Sequence, residues 1–255
     1  MATLLDEFDP FHHGRTYEEE NATIKNHFGL AEWTFASVEA LGDGDARLCN
    51  GHYRENMTCI GGSTQNHHDI SLQGYKGKPV YMCEGHDLWR SWWLAKEPNV
   101  VRAAWAVTTA AASFTWSDLG HAPDDPYYSD QAFATYPSAT KSIDVLNAIM
   151  TEKVPAFYKM SPADELLVAP APDLTFCLAE QGKQYIVYSD AGAPFSLDTT
   201  TAAAGAETAG LLKLTWFDPT TGESKAGGTV PSASSSVRLT PPTVNMHWVA
   251  MLVAQ

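Results

Sequence analysis

Basic side chains are scarce in this 255-residue chain: sixteen Lys and Arg stand against thirty Asp and Glu, for a formal charge of -14. So few cations scattered among so many acids cannot form the broad phosphate-neutralising face that nucleic acid requires, and a neutral or cationic ligand is expected instead. Long apolar runs are absent too. None approaches the roughly 20 residues that span a bilayer, and "MATLLDEFDPFHHG" lacks the charged, apolar and small-residue zones of a signal peptide. The chain as written is expected to be soluble, with no membrane partner and no export signal. Four cysteines are present and none has C-x-x-C spacing, which leaves no zinc motif. Cys49 and Cys59 bracket a loop-like segment and are free to pair, whereas Cys83 and Cys177 read as buried thiols. The sequence also lacks a G-x-S-x-G elbow, a P-loop and a G-x-G-x-x-G after a strand. Serine-hydrolase, nucleotide-binding and dehydrogenase chemistry therefore have no support, and nothing calls for a metal or cofactor.

What is present falls into two textures. Residues 1–160 alternate short apolar runs with helical patterns: "WTFASVEAL" (33–41), "KPVYMCEG" (78–85) and "SFTWSDL" (113–119) read as strands. Between and after them, "QNHHDISLQGYKG" (65–77), "NVVRAAWAVTTAAA" (99–112) and "SATKSIDVLNAIMTE" (138–152) read as helices, the last with Ser138 as N-cap. Strand and helix in alternation build a parallel sheet, because parallel neighbours need crossover connections. Residues 161–255 change to short runs such as "DLTFCLAE", "KQYIVYSD" and "HWVAMLVAQ", separated by proline, glycine, serine and threonine. That is the pattern of an antiparallel sandwich, and "FDPTTGES" (217–224) is a hairpin-turn sequence within it. The fold class is therefore α/β plus all-β.

In a parallel sheet the residues at the carboxyl ends of strands line the functional mouth. Glu84 ends "KPVYMCE", Glu39 closes "FASVEAL", and Trp116 with Asp118 closes "FTWSDL". Carboxylates beside indoles suit sugars, whose C–H faces stack on aromatic rings while their hydroxyls take directional hydrogen bonds. A pair of carboxylates is also what glycoside hydrolysis uses. Trp89, Trp92, Tyr53, His86, His12 and His13 complete the candidate substrate-binding set. An ordinary ion pair of Glu84 with Arg90 or Arg102 is the structural alternative, and His67 and His68 lack the third spaced ligand of a metal site.

The order "DPFHHGRTY", "WTFASVEAL", "GKPVYMCEG", "VVRAAWAVTTAAASFTWSD", then "WFDPTTGES" and "PPTVNMHWVAMLVAQ", resembles the apiosidase-like glycoside hydrolases. That family joins a (β/α)8 barrel to a C-terminal β-sandwich labelled collagen-binding, and its members are secreted. The resemblance implies that "KPVYMCE" is the seventh barrel strand with Glu84 as nucleophile, and that Trp116 after the eighth is a sugar platform. "FASVEAL" would be the sixth strand, and His12 and His13 would border the fifth. It implies a partial barrel over 1–160, with no counterpart to the first four strands or to their acid/base. Glu39, Asp118 or one of Glu18, Glu19 and Glu20 would take the acid's role on a plant or microbial polysaccharide. A half-barrel exposing its interior is expected to form a homodimer.

Overall fold

The computed structural model describes residues 137–200 and 210–255 throughout and, before them, residues 18–20, 36–39, 64–65, 67–69, 71–72, 75, 79–84 and 97–114. Four strands, β1 (Glu18–Glu20), β2 (Ala36–Glu39), β3 (Val80–Glu84) and β4 (Ala112–Phe114), form a sheet in the order β1-β2-β3-β4. Every neighbour pair is parallel. Sequence order and spatial order coincide, and among the described residues β1 and β4 are the two edges. The strand β1, three consecutive glutamates, carries no apolar alternation, and periodicity gave no sign of it.

Helix α1 (Glu97–Thr109) leads into β4. It is rich in alanine, and Ala103, Ala104, Ala106 and Trp105 are all buried. Small side chains let its backbone approach the sheets closely, while Trp105 supplies the volume. The pattern reading carried this helix to residue 112. It ends earlier because Ala111 takes φ +59, a left-handed turn that breaks the helical path and starts β4. Helix α2 (Pro137–Ala148) continues as one π-helical turn, Ile149–Lys153. It begins at Pro137, whose fixed φ suits a first helical position, so Ser138 lies inside the first turn and is not its N-cap.

The remaining strands are β5 (Ser161–Pro162), β6 (Leu167–Val168), β7 (Thr175–Glu180), β8 (Gln184–Ser189), β9 (Phe195–Leu197), β10 (Leu211–Phe217), β11 (Ser224–Pro231), β12 (Val237–Leu239) and β13 (Trp248–Ala254). Six of them make an antiparallel sheet ordered β11-β10-β13-β8-β7-β5, and three more make a small sheet ordered β12-β9-β6. One face of the large sheet packs on the small one through Cys177, Tyr185, Val187, Leu197, Trp216 and Leu252. The other face, with Phe176, Leu178, Ile186, Tyr188, Phe217 and Val249, packs on Val101, Trp105, Leu146 and Met150 of the helical layer. The large sheet is thus the middle of three layers. This is why β7 and β8 read as continuous apolar runs: strands buried on both faces have no solvent side to alternate with.

The "FDPTTGES" segment forms the hairpin turn between β10 and β11. Asp218 accepts hydrogen bonds at Oδ1 from the backbone N–H groups of Thr220 (2.8 Å) and Thr221 (3.2 Å), and Gly222 supplies φ +78.

Candidate active site

Glutamate ends each of the first three parallel strands: Glu20 on β1, Glu39 on β2 and Glu84 on β3. The register makes them cross-strand partners, Glu20 opposite Glu39 and Glu39 opposite Glu84. A register shift between Val38 and Glu39 creates the second pairing; without it Glu39 would stand opposite Cys83. Neighbouring strands lie about 4.8 Å apart, so the Glu39 and Glu84 backbones are separated by one strand spacing and Glu20 lies one spacing further on. A row of three acids at the carboxyl ends of adjacent parallel strands stands where such sheets place their functional groups. Sequence reading named Glu39 and Glu84 and left Glu18, Glu19 and Glu20 undivided. The pairing singles out Glu20, a distinction that only register can make.

Of the other candidates, Trp116 and Asp118 follow β4 but lie outside the described residues, as do His12, His13, Tyr53, His86, Trp89 and Trp92. So do Cys49, Cys59, and Arg90. Arg102, a suggested partner of Glu84, donates from Nε to Oδ1 of Asp190 at 2.6 Å and so ties α1 to the end of β8. Tyr188 donates to the same oxygen at 3.0 Å, and burial, then the nearby Asp190 charge, pushes its phenol well above the ordinary range.

His67 and His68 are buried, and His68 is committed to structure. Its Nδ1 lies 2.7 Å from the Ala106 carbonyl oxygen and its Nε2 2.6 Å from Oδ2 of Asp164, and its ring stacks on Phe176 at 3.9 Å. Asp164 uses its other oxygen to accept the Cys177 backbone N–H at 2.7 Å. His68 thus joins the helical layer to the large sheet. Among the described residues no group of three or more His, Cys, Asp or Glu could hold a metal ion. Cys177 is a free, buried thiol whose pKa is raised by burial and by the Asp164 and Glu165 charges, which makes it inert.

A groove of about 520 Å³ runs beside the start of β3 at Pro79 and Val80 and along β4 from Ala112 to Phe114, with Leu146 and Met150 also lining it. Among the described residues its lining holds no carboxylate, histidine or cationic side chain. Its polar side chains are hydroxyls and one amide, Tyr75, Thr108, Ser113, Asn147, Thr151 and Tyr158, whereas the strand-end row is made of carboxylates.

Residues 162–253 match a family model described as "Putative collagen-binding domain of a collagenase". The fold of the chain is similar over 99% of its length to a family 5 glycoside hydrolase from Bacteroides vulgatus ATCC 8482, at TM-score 0.68 and 15% identity, covering 58% of that chain. It is similar over 99% to a second glycoside hydrolase at TM-score 0.66 and 13% identity, covering 60% of it. A further glycoside hydrolase fold from Bacteroides vulgatus aligns with 100% of the chain at TM-score 0.56 and 13% identity, covering 47% of that protein. The chain thus spans 47% to 60% of the length of these structures. No curated protein matches it. The resemblance to glycoside hydrolases read from the motifs agrees with these folds.

Proposed function

We propose that the chain is a glycoside hydrolase-like protein that cleaves glycosidic bonds of a plant or microbial polysaccharide with retention of configuration. The observation that carries the reading is the pairing of Glu39 with Glu84 at the carboxyl ends of adjacent parallel strands. In this reading Glu84 attacks the anomeric carbon and the bond to the leaving oxygen breaks as Glu39 protonates it. Glu39, now a carboxylate, then takes a proton from water, which displaces the sugar from Glu84. Retaining chemistry needs the two carboxyl groups about 5–5.5 Å apart, close to one strand spacing. Asp118, following β4, is the competing acid, and Trp116, Trp89 and Trp92 are the aromatic platforms.

The sequential order β1-β2-β3-β4 supports reading the parallel sheet as half of a (β/α)8 barrel covering residues 1–160, with the sandwich at 161–255. A second copy related by a two-fold along the barrel axis preserves strand direction and joins each β4 to the partner's β1, closing eight parallel strands. The dimer would show as a doubled mass by light scattering.

The test is release of reducing ends from a polysaccharide panel by the unaltered chain, Glu84→Gln and Glu39→Gln. Glu84→Gln is expected to abolish turnover and Glu39→Gln to lower it about 10²- to 10⁴-fold, both with an unchanged urea midpoint. Undiminished activity in Glu84→Gln removes it as nucleophile. The second reading is a non-catalytic carbohydrate-binding protein of the same fold, favoured by the indoles Trp89, Trp92 and Trp116, which suit sugar binding whether or not a bond is cleaved. Saturable binding of oligosaccharides without any release of reducing ends would establish it.

A further inference from the structure

Among the described residues the two antiparallel sheets each have an edge strand beside the same groove, β11 in the large sheet and β12 in the small one. A groove of about 380 Å³ opens between them, within the size range of small-molecule sites. Leu214, Trp216 and Leu239 are buried side chains that form its floor. Its lining holds two cations, Lys225 and Arg238, and no carboxylate, in a chain whose formal charge is -14. Neither cation has a carboxylate partner among the described residues. Lys225 is held with its ammonium 5.1 Å from the centre of the Trp248 ring.

Gly227 also lines the groove and is the extra residue of a bulge, since Leu214 pairs with Gly228 and Thr215 with Ala226. A Cβ at position 227 would stand 3.0 Å from Trp216 Nε1, so glycine leaves that indole N–H at the floor without a side chain over it. An apolar floor, one indole donor and two cations without a carboxylate partner make a groove that favours an anionic, hydrogen-bond-accepting ligand.

We propose that this groove binds an acidic saccharide, one sugar unit bearing a carboxylate or sulfate, with Arg238 and Lys225 holding the anion and the apolar floor meeting the C–H face of the ring. A single anionic unit fits better than a polyanion, because the overall negative charge repels a long charged chain while two local cations still satisfy one acid. The choice of a sugar as carrier rests on the carbohydrate reading above; the anion preference rests on the groove alone.

The experiment is isothermal titration of the full chain with cellobiose, with the same disaccharide carrying a carboxylate in place of its terminal hydroxymethyl group, and with sodium acetate. The carboxylated disaccharide is expected to bind roughly tenfold tighter than cellobiose or more, with the preference shrinking as salt rises. The double variant Lys225→Gln, Arg238→Gln should lose that preference, and because both side chains are exposed and only the Lys225 ring contact is given up, its urea transition should stay cooperative with an unchanged slope. Equal affinity for the two disaccharides, binding of neither, or a preference that survives in the double variant overturns the proposal. Acetate binding as tightly as the sugar acid overturns the sugar part. Glu84→Gln should bind the sugar acid as the unaltered chain does, so loss of hydrolysis and loss of this site are separate results.

Discussion

Asp164→Ala tests how the helical layer is fixed to the large sheet. The substitution removes two hydrogen bonds at once: the 2.6 Å contact from His68 Nε2 and the 2.7 Å contact from the Cys177 backbone N–H. His68 is 1% exposed and Cys177 0% exposed, so in both cases the donor is stranded away from water. A hydrogen bond to a charged group contributes about 1.5–3 kcal/mol, and a stranded buried donor costs about 1–3 kcal/mol. Asp164 is itself 34% exposed, so water entering behind the truncated side chain recovers part of the loss. The expected destabilisation is about 2–4 kcal/mol. Asp164→Asn keeps an oxygen for the Cys177 N–H and loses the carboxylate, and should recover about half. Urea unfolding followed by tryptophan fluorescence gives both numbers, with midpoint and slope fitted together so that a change in cooperativity is seen. A loss below about 0.5 kcal/mol for alanine, or an asparagine variant as unstable as the alanine one, would refute the reasoning.

His247, packed near Tyr188 and 3.0 Å from Thr220 Oγ1, has its pKa held below the ordinary 6.5 chiefly by burial. The unfolded chain therefore binds this proton first as pH falls; the stability is complete above 6.5, is lost between 6.5 and the lower folded value, and His247→Gln should flatten that slope in melts from pH 8 to 5. Gly227→Ala places a methyl group 2.4 Å from Leu214 Cγ, inside a buried cluster, and should cost about 1–3 kcal/mol by thermal or urea melt; a neutral effect would mean that Leu214 has room to turn aside.

Much of this architecture is written in local pattern. The runs that became β2, β3, β7, β8, β10 and β13 are apolar and short, and the alanine-rich stretch that became α1 has helical spacing. Four strands escaped, β1, β5, β9 and β11: β5 and β9 are only two and three residues long, and the other two depend on their partners. The strand β11, "SKAGGTVP", is an exposed edge with two adjacent glycines, held in place by pairing with β10 and not by its own side chains. The strand β1 is three acids, held by its parallel neighbour β2. The candidate site follows the same division. Strand-end position made Glu39 and Glu84 visible, but the one-residue shift at Val38 that sets them opposite one another has no signature in either strand alone. The helix-to-sheet ties, Arg102 to Asp190 and His68 to Asp164, join residues 88 and 96 positions apart, where no periodicity reaches.

The middle position of the large sheet makes a further prediction about residues 161–255 expressed alone. Read as a sandwich from its strand pattern, this stretch looks self-sufficient, yet the large sheet turns Phe176, Leu178, Ile186, Tyr188, Phe217 and Val249 towards the helices. Each is buried to 6% exposure or less. Uncovering a side chain of that size costs about 1.5–3 kcal/mol, so six of them amount to roughly 9–18 kcal/mol, an upper bound because the unfolded chain is itself partly compact. That is as large as the whole stability of an ordinary domain. The fragment should therefore aggregate, or bind a hydrophobic dye and unfold without cooperativity, and the full chain should do neither. A monodisperse fragment with a sharp unfolding transition would mean that the small sheet and its core suffice. The helical face would then be a removable contact, as in a sandwich merely appended to its neighbour.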